Sequence, residues 1–190
     1  MDDSLANDNC KGDIEITLVV PVFNEEDNIV LFVKEVSERV RIPHRICIIY
    51  DYDDDTTLRK KAEVLTIEPA TLFIHTKGTA GVINALKTGF EISQTRYIVV
   101  IMADLSDTPE TINDLYAKIQ EGYDLVVASR YCAGGKKIGG PKIKKWLSQF
   151  ANRSLHYLTK IPTHDMTNAF IIHKKKIIEQ INIRSTGVVG

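Results

Sequence analysis

Two hydrophobic patterns alternate along the chain, and together they predict strands that are each followed by a helix. Short apolar runs rich in β-branched residues are typical of strands buried on both faces of a parallel sheet. The predicted strands are 14–22, 45–50, 71–75, 98–103, 123–129 and 169–173. Between them, apolar residues recur every three or four positions, which is typical of amphipathic helices. This order predicts an α/β fold with a mostly parallel central sheet and helices on both faces.

Capping residues indicate where several of the helices should begin. Asn24 is placed to cap the first helix, and the acidic residues 25–27 would then occupy its first turn. A second helix is predicted over 56–65. Thr108 is placed to cap a later helix, with Pro109 in the first turn, where its missing N–H costs nothing.

Length and composition predict one domain with a hydrophobic core. The chain has 190 residues, of which 44% are apolar and 26% charged, as is ordinary for a globular protein. Residues 1–13 are polar and acidic, so we expect them to be frayed and the domain to cover 14–190. No apolar run approaches the length of a membrane span, and the N-terminus does not resemble a signal peptide, which predicts a cytoplasmic protein.

The net charge of −1 hides an uneven distribution along the chain. Residues 130–190 carry twelve basic and two acidic side chains, whereas residues 1–129 carry twelve basic and twenty-three acidic ones. The excess of basic side chains in 130–190 could simply form a solvated basic face. The alternative is that the last third meets an anion, such as a phosphate or an acidic lipid surface. Nucleic acid is less favoured because few aromatic residues lie among the lysines.

Three polar clusters directly follow predicted strands, and they are Asn24-Glu25, 51–55 and 104–107. Because the carboxyl ends of parallel strands meet at one edge of a sheet, we expect the clusters to converge there. Each cluster alone is typical of a cap or a turn. Three at one edge favour a site, since neighbouring carboxylates repel unless a cation joins them, and carboxylates are natural ligands of hard divalent cations.

Other common kinds of site find little support in the sequence. The five histidines and three cysteines have no metal-like spacing, so reduced, structural thiols and structural or exposed imidazoles are the better interpretation. Neither a Ser-His-Asp nor a Cys-His arrangement stands out. The turn at 78–81 matches neither the dinucleotide-binding G-x-G-x-x-G pattern nor a P-loop.

Several motifs in order resemble family 2 glycosyltransferases, in particular the dolichol-phosphate mannosyltransferase branch. The matching segments are 21–29, 51–57, 102–105, 128–131, the Gly-rich loop at 134–141, Ser148 with Asn152, and 165–170. Together they are more specific than any one of them. The resemblance implies the GT-A fold, a Rossmann-like three-layer α/β/α arrangement. It also implies an inverting glycosyltransferase that moves a sugar from a nucleotide diphospho-sugar to a polyprenyl (dolichyl) phosphate.

The same resemblance implies roles for individual residues near the start of the chain. By position, Pro21, Phe23, Glu25, Asp51 and Asp53 would line the nucleotide pocket. They come from the first motif and from the turn after the second strand.

Metal binding and catalysis are implied for residues further along the chain. Asp104 would hold a Mg²⁺ or Mn²⁺ ion bridging the donor diphosphate, with Ser106 and Asp107 as further ligands on the same turn. Arg130 and Asp165 match catalytic positions together with Asp104.

Acceptor binding is implied for the basic last third of the chain. Lys144 and Ser148 match positions that meet the acceptor phosphate. The +10 charge of 130–190 agrees with a lipid-phosphate acceptor and adds an expectation of peripheral membrane contact. The C-terminal part of family members, which often includes membrane-associating helices, has no counterpart here, so we expect a domain that is truncated relative to the family.

Departures from the family pattern support an alternative. Met102 replaces the first Asp of the Asp-x-Asp motif, and a thioether is a poor ligand for Mg²⁺ or Mn²⁺. Tyr50 and Tyr52 replace an Asp and a Gly, and Ile171 stands where an Arg is usual. A catalytically impaired nucleotide-sugar binding module of the same fold would fit these changes. A sugar-1-phosphate nucleotidyltransferase is less favoured, because it needs a Gly-rich basic loop after the first strand.

Overall fold

A computed structural model describes residues 14–129 and 169–181 of the chain. The strands are β1 (Ile16–Pro21), β2 (His44–Tyr50), β3 (Leu72–His75), β4 (Tyr97–Val100), β5 (Leu125–Val127) and β6 (Ile171–Lys174). The helices are α1 (Ile29–Arg39), α2 (Lys61–Ile67), α3 (Val82–Ile92), α4 (Thr111–Gln120) and α5 (Lys175–Gln180), and a 3₁₀ turn (Thr56–Lys60) precedes α2. No helix within these residues is long and apolar enough to cross a bilayer.

The described strands form one mostly parallel sheet in the order β3-β2-β1-β4-β6-β5. The strands β2 and β4 run parallel to β1 on either side of it, and β3 runs parallel to β2. Strand β6 is inserted antiparallel between β4 and β5. The predicted α/β class is therefore confirmed, and the sheet reverses direction at one strand.

The sheet separates two hydrophobic layers because successive strand residues point to opposite faces. On one face Ile16, Leu18 and Val20 pack with apolar residues of α1 and α4. On the other face Val19 packs with Ala85 of α3 and with neighbouring strand residues. This is the predicted three-layer α/β/α arrangement, with helices covering both faces of the sheet.

The packing of α3 on the sheet requires a glycine. A Cβ atom at Gly89 would lie 2.3 Å from Cγ1 of Val19, so no larger residue fits without movement. Helix interiors disfavour glycine by about 1 kcal/mol relative to alanine. The close approach of helix and strand explains why glycine is found there.

Two helix starts differ from the prediction. Helix α1 begins at Ile29 with Asn28 at the N-cap, and its first turn contains no acidic residue. Asn24 therefore does not cap it, because its backbone is left-handed with a φ of 56° and its side chain bonds elsewhere. Helix α4 begins at Thr111, after a turn closed by the Thr111 N–H donating to the Thr108 carbonyl.

One thiol and three imidazoles have surroundings that agree with structural roles. Cys47 is buried and unbridged, and burial raises the pKa of its thiol to about 11. At the surface-facing ends of β2 and β3, Nδ1 of His44 and of His75 lies within hydrogen-bond distance of a backbone carbonyl. His173 on β6 packs edge-on against the Phe90 ring, with 5.8 Å between ring centroids.

The partly buried imidazole of His173 predicts a pH-dependent stability. Burial lowers its pKa from 6.5 to about 4, so the unfolded chain binds a proton more readily than the folded one. We expect the free energy of unfolding to be insensitive to this group above pH 6.5. It should fall by up to about 3 kcal/mol as the pH drops from 6.5 to 4.

Urea unfolding of the wild-type chain and of His173→Leu at several pH values measures this effect. The variant has no proton to bind at this position, so its unfolding free energy should decline less steeply over the same range. Parallel pH profiles for the two proteins would show that His173 does not contribute.

Candidate active site

The candidate site lies at the edge where the parallel strands β2, β1 and β4 end. Since the three strands run in one direction, the loops that follow them emerge at the same edge. These loops carry the three polar clusters that were predicted to converge. The strand directions confirm their placement at one edge.

Hydrogen bonds join the loop after β1 to the loop after β2. The N–H of Asn24 donates to Oδ1 of Asp55 at 3.1 Å, and the N–H of Glu25 donates to Oγ1 of Thr57 at 2.9 Å. In return, the N–H of Thr56 donates to Oδ1 of Asn24 at 3.2 Å. Asparagine tolerates the left-handed conformation that this arrangement needs better than most residues. These bonds fix the two loops relative to each other.

Asp51, the first residue after β2, is a half-satisfied carboxylate. Its Oδ2 accepts a 2.8 Å hydrogen bond from the N–H of Gly81, just before α3. Its Oδ1 is buried and has no hydrogen-bond partner within the described residues. A buried acceptor without a partner is uncommon in proteins, and it is ready to accept a donor from a ligand.

Two aromatic rings stand at this edge, one from each of the joined loops. Phe23 is 64% exposed and Tyr52 is 48% exposed, and their ring centroids lie 6.3 Å apart in an edge-on arrangement. The sequence predicted a role for Phe23, whereas Tyr52 was noted only as a departure from glycine. Exposed rings at a strand-end edge provide surfaces on which a base or a sugar can pack.

The loop after β4 presents Asp104 to solvent. One carboxylate oxygen, Oδ1, accepts a hydrogen bond from the N–H of Ser106 at 3.0 Å. Between them Leu105 has a left-handed backbone with a φ of 59°, which costs a residue with a side chain about 1–2 kcal/mol. Within the described part of the chain, Asn24 and Leu105 alone among non-glycine residues have a positive φ. Such strain concentrates at functional loops.

The loop after β4 could bind a divalent cation whose remaining ligands come from the substrate. Within 14–129 and 169–181, no three His, Cys, Asp or Glu side chains form a group that could hold a metal ion. However, Mg²⁺ in phosphate-binding sites commonly takes one or two carboxylates, with phosphates and water completing its shell. The exposed carboxylate of Asp104 suits that pattern. The ligand roles of Ser106, which is exposed, and Asp107, which is partly buried, stay predictions.

The remaining predicted site residues divide into two groups. Pro21 is buried as the last residue of β1 and Glu25 accepts a 2.8 Å hydrogen bond from the side chain of Asn28, while Asp53 is exposed in the loop after β2. Their contacts with a nucleotide stay predictions. Four others lie outside the described residues, namely Arg130, Lys144, Ser148 and Asp165.

Part of the basic last third lies away from this edge. Because β6 is antiparallel to β4, Lys174 pairs with Tyr97 at the amino end of β4, and α5 starts from there. Lys174, Lys175 and Lys176 are therefore at the opposite edge of the sheet from Asp104. The charge of these three lysines therefore does not add to the candidate site.

Sequence reasoning missed the residues that hold the site together. Asp55 and Thr57 were seen only as part of an acidic turn, although both are buried and anchor the neighbouring loop. Their burial was not visible in the sequence, since most of the surrounding residues are polar. Nothing in the sequence indicates the left-handed backbone of Leu105.

The comparison with protein families decides the identity of this arrangement. Residues 17–181 match the family described as Glycosyl transferase family 2. The chain belongs to this family. The resemblance carried by the ordered motifs is thereby confirmed.

Curated relatives of this family 2 glycosyltransferase domain include proteins named for lipid-phosphate substrates. The polyprenol monophosphomannose synthase of Mycolicibacterium smegmatis is 27% identical over 177 residues, covering 91% of this chain and 66% of that protein. The dolichol-phosphate mannosyltransferase of Pyrococcus furiosus is 27% identical over 177 residues, covering 92% of this chain and 50% of that protein. The chain thus spans about half to two thirds of the length of these relatives.

Solved structures share the fold of this domain. The glucosyl-3-phosphoglycerate synthase from Mycobacterium tuberculosis, crystallised with Mn²⁺, UDP-glucose and phosphoglyceric acid, superposes with a TM-score of 0.64 at 17% identity. The match covers 86% of this chain and 57% of that one. Such neighbours confirm the predicted GT-A fold.

Proposed function

We propose that this domain catalyses inverting transfer of a sugar from a nucleotide diphospho-sugar to a polyprenyl phosphate. Membership of family 2 supports glycosyl transfer as the reaction class. The observation that carries the proposal is the placement of Asp104, Asp51 and the Phe23–Tyr52 ring pair at one sheet edge of a family 2 framework. The acceptor class is suggested by the names of two relatives.

The loops after β1 and β2 are proposed to hold the nucleoside part of the donor. Oδ1 of Asp51 needs a hydrogen-bond donor, and a base N–H or a ribose hydroxyl would supply one. Phe23 would offer its exposed face to the base or the ribose. The hydrogen bonds between the two loops keep this surface in place before the donor arrives, which lowers the entropic cost of binding.

Asp104 is proposed to act at the diphosphate of the donor. Its exposed position at the end of β4 would place a carboxylate beside a metal-bound diphosphate. A bound Mg²⁺ or Mn²⁺ supplies positive charge that stabilises the departing nucleoside diphosphate. In the proposed reaction an acceptor phosphate oxygen forms a bond to C1 of the sugar as the bond from C1 to the diphosphate oxygen breaks. The acceptor is already anionic, so a strong general base is not needed.

Transfer assays with the full 190-residue chain test this proposal. A panel of UDP- and GDP-sugars is incubated with a short-chain polyprenyl phosphate and Mg²⁺ or Mn²⁺, and both nucleoside diphosphate and glycolipid are measured. We expect stoichiometric release and transfer with one donor class. A donor that binds the folded chain also raises its melting temperature by mass action, which reports binding separately.

The alternative is a nucleotide-sugar binding module without activity, favoured by Met102 in place of a carboxylate. The same assays separate the two functions. Thermal stabilisation by a nucleotide without turnover supports the module, whereas neither turnover nor stabilisation contradicts both.

A further inference from the structure

A cavity of about 500 Å³ opens at the sheet edge opposite to the candidate active site. It lies where the segment before β4 meets the end of β6 and the start of α5. Its lining residues are Gln94, Thr95, Arg96, Lys174, Lys175, Lys176 and Glu179. With four cations and one carboxylate, the lining is strongly basic, and its volume falls within the range of small-molecule sites.

Two of the lysines are held in fixed positions. Nζ of Lys174 donates to the Gly122 carbonyl and to Asp124, both at 2.9 Å, and its side chain is 15% exposed. Nζ of Lys175 donates to the Phe90 carbonyl at 2.7 Å, and its side chain is 21% exposed. They are therefore part of the built wall, unlike the freely solvated lysines of an ordinary basic surface.

The charge of this wall is only partly neutralised. Asp124 pairs with Lys174 at 2.9 Å, whereas the ion pair of Lys175 with Glu179 is longer, at 3.8 Å. Lysine has three donor hydrogens, so Lys175 keeps capacity for another acceptor after its bond to a carbonyl. A partly desolvated ammonium group whose carboxylate partner is exposed and 3.8 Å away still favours binding of an anion.

Arg96 and Lys176 add two further cations at the rim. The charge of Lys176 acts on the nearby Asp124 carboxylate, whose pKa it helps Lys174 to lower. The Arg96 guanidinium lies 5.3 Å from the Tyr97 ring centroid, which leaves its donors available. Fixed lysines on the wall and two further cations at the rim surround one space.

We infer that this cavity binds a phosphate-bearing anion, at a site separate from the donor site. A phosphate group is compact, carries up to two negative charges and offers several acceptor oxygens. Arg96 could meet it with two parallel N–H donors, while Lys175 and Lys176 would contribute as point charges. The phosphate could belong to a soluble phosphate ester or to a lipid headgroup, since both present the same chemistry.

Titration of the full chain with inorganic phosphate tests the site, with NMR resonances of Arg96 and Lys175 as the readout. We expect shifts that saturate, and an affinity that falls as NaCl is raised because the interaction is screened. The double variant Arg96→Gln/Lys176→Gln should bind phosphate at least tenfold more weakly. Lys34→Gln, an exposed lysine on α1, is the matched control and should leave the affinity unchanged.

The Asp104→Ala variant separates this cavity from the donor site, and it should bind phosphate here with unaltered affinity. A vesicle arm distinguishes the sources of the phosphate. If the wild-type chain floats with phosphatidylglycerol vesicles and the double variant does not, the ligand is a lipid headgroup. If the chain binds phosphate but does not float with the vesicles, the ligand is a soluble phosphate ester. The inference is overturned if the double variant changes neither phosphate binding nor flotation.

Discussion

Replacing Asp104 by alanine is expected to lower the rate of sugar transfer by about 10²–10³-fold. The carboxylate is exposed at the end of β4 and is the one residue of the proposed metal group that keeps the family's motif position. Met102 has no charge to take over its role. The rate should be measured at saturating donor over a range of Mn²⁺ concentrations.

The stability of this variant should remain close to that of the wild type. Asp104 contributes one recorded hydrogen bond, to the N–H of Ser106, in an exposed loop. Surface substitutions of this kind change the free energy of unfolding by about 0.5 kcal/mol or less. Asp104→Asn is the matched variant, because it keeps the oxygen that accepts this bond and removes the charge.

We expect Asp104→Asn to be nearly as inactive as Asp104→Ala if the charge is what matters. Asp114→Asn, an exposed acid on α4, controls for loss of charge elsewhere and should retain full activity. Wild-type rates and wild-type metal dependence in the Asp104 variants would contradict the proposed role of Asp104. Asp107 would then be the next candidate for the metal ligand.

The second large effect concerns the buried carboxylate of Asp55, which is 3% exposed. Its Oδ1 accepts from the N–H groups of Asn24 and Thr57, at 3.1 and 2.8 Å. Alanine at this position leaves both donors without their acceptor. Since hydrogen bonds to charged groups contribute about 1.5–3 kcal/mol each, we expect the loss of both in Asp55→Ala to lower the unfolding free energy by about 3–6 kcal/mol.

Asp55→Asn tests which property of the carboxylate matters. Asparagine can keep an oxygen at the Oδ1 position, while its amide would replace Oδ2, which is buried and has no hydrogen-bond partner among the described residues. We expect a loss about half that of alanine, measured by urea unfolding. Equal losses in the two variants would show that the charge, and not the acceptor geometry, holds the loops.

Nucleotide binding provides a second readout for the Asp55 variants. Because Asp55 joins the loop of Phe23 to that of Tyr52, its loss should weaken nucleotide binding even at temperatures where the variant is fully folded. Unchanged affinity in the folded variant would separate loop anchoring from ligand binding.

The central strands were predictable because each is a short, continuous apolar run that no helix period fits. The run from Tyr97 to Val100 is buried throughout, as is β1. The sequence therefore also predicted the correct sheet edge for the polar clusters that follow these strands, which are Asn24-Glu25, 51–55 and 104–107. A parallel sheet turns a pattern in the sequence into a placement in space.

Features that depend on contacts between distant segments were not predictable in the same way. Asn24 has the sequence context of a helix cap, but its N–H donates to Asp55 and its side chain accepts from the Thr56 N–H, which ties it to another loop. The direction of β6 is set by its pairing with β4 and β5, which its four residues do not encode. Because the direction of β6 determines where Lys174 lies, the basic cavity could not be predicted either.

Strand β6 supplies no predicted site residue, yet it completes the pairing on which the site rests. Val100, three residues before the Ala103-Asp104 turn, pairs with Ile171, far along the chain. A chain released at Ser129 would keep every described loop of the candidate site. It would nevertheless leave one side of β4 as a bare edge of unpaired N–H and C=O groups, which invites aggregation. During synthesis, the loops proposed to bind the donor are therefore made before the strand that covers this side of β4.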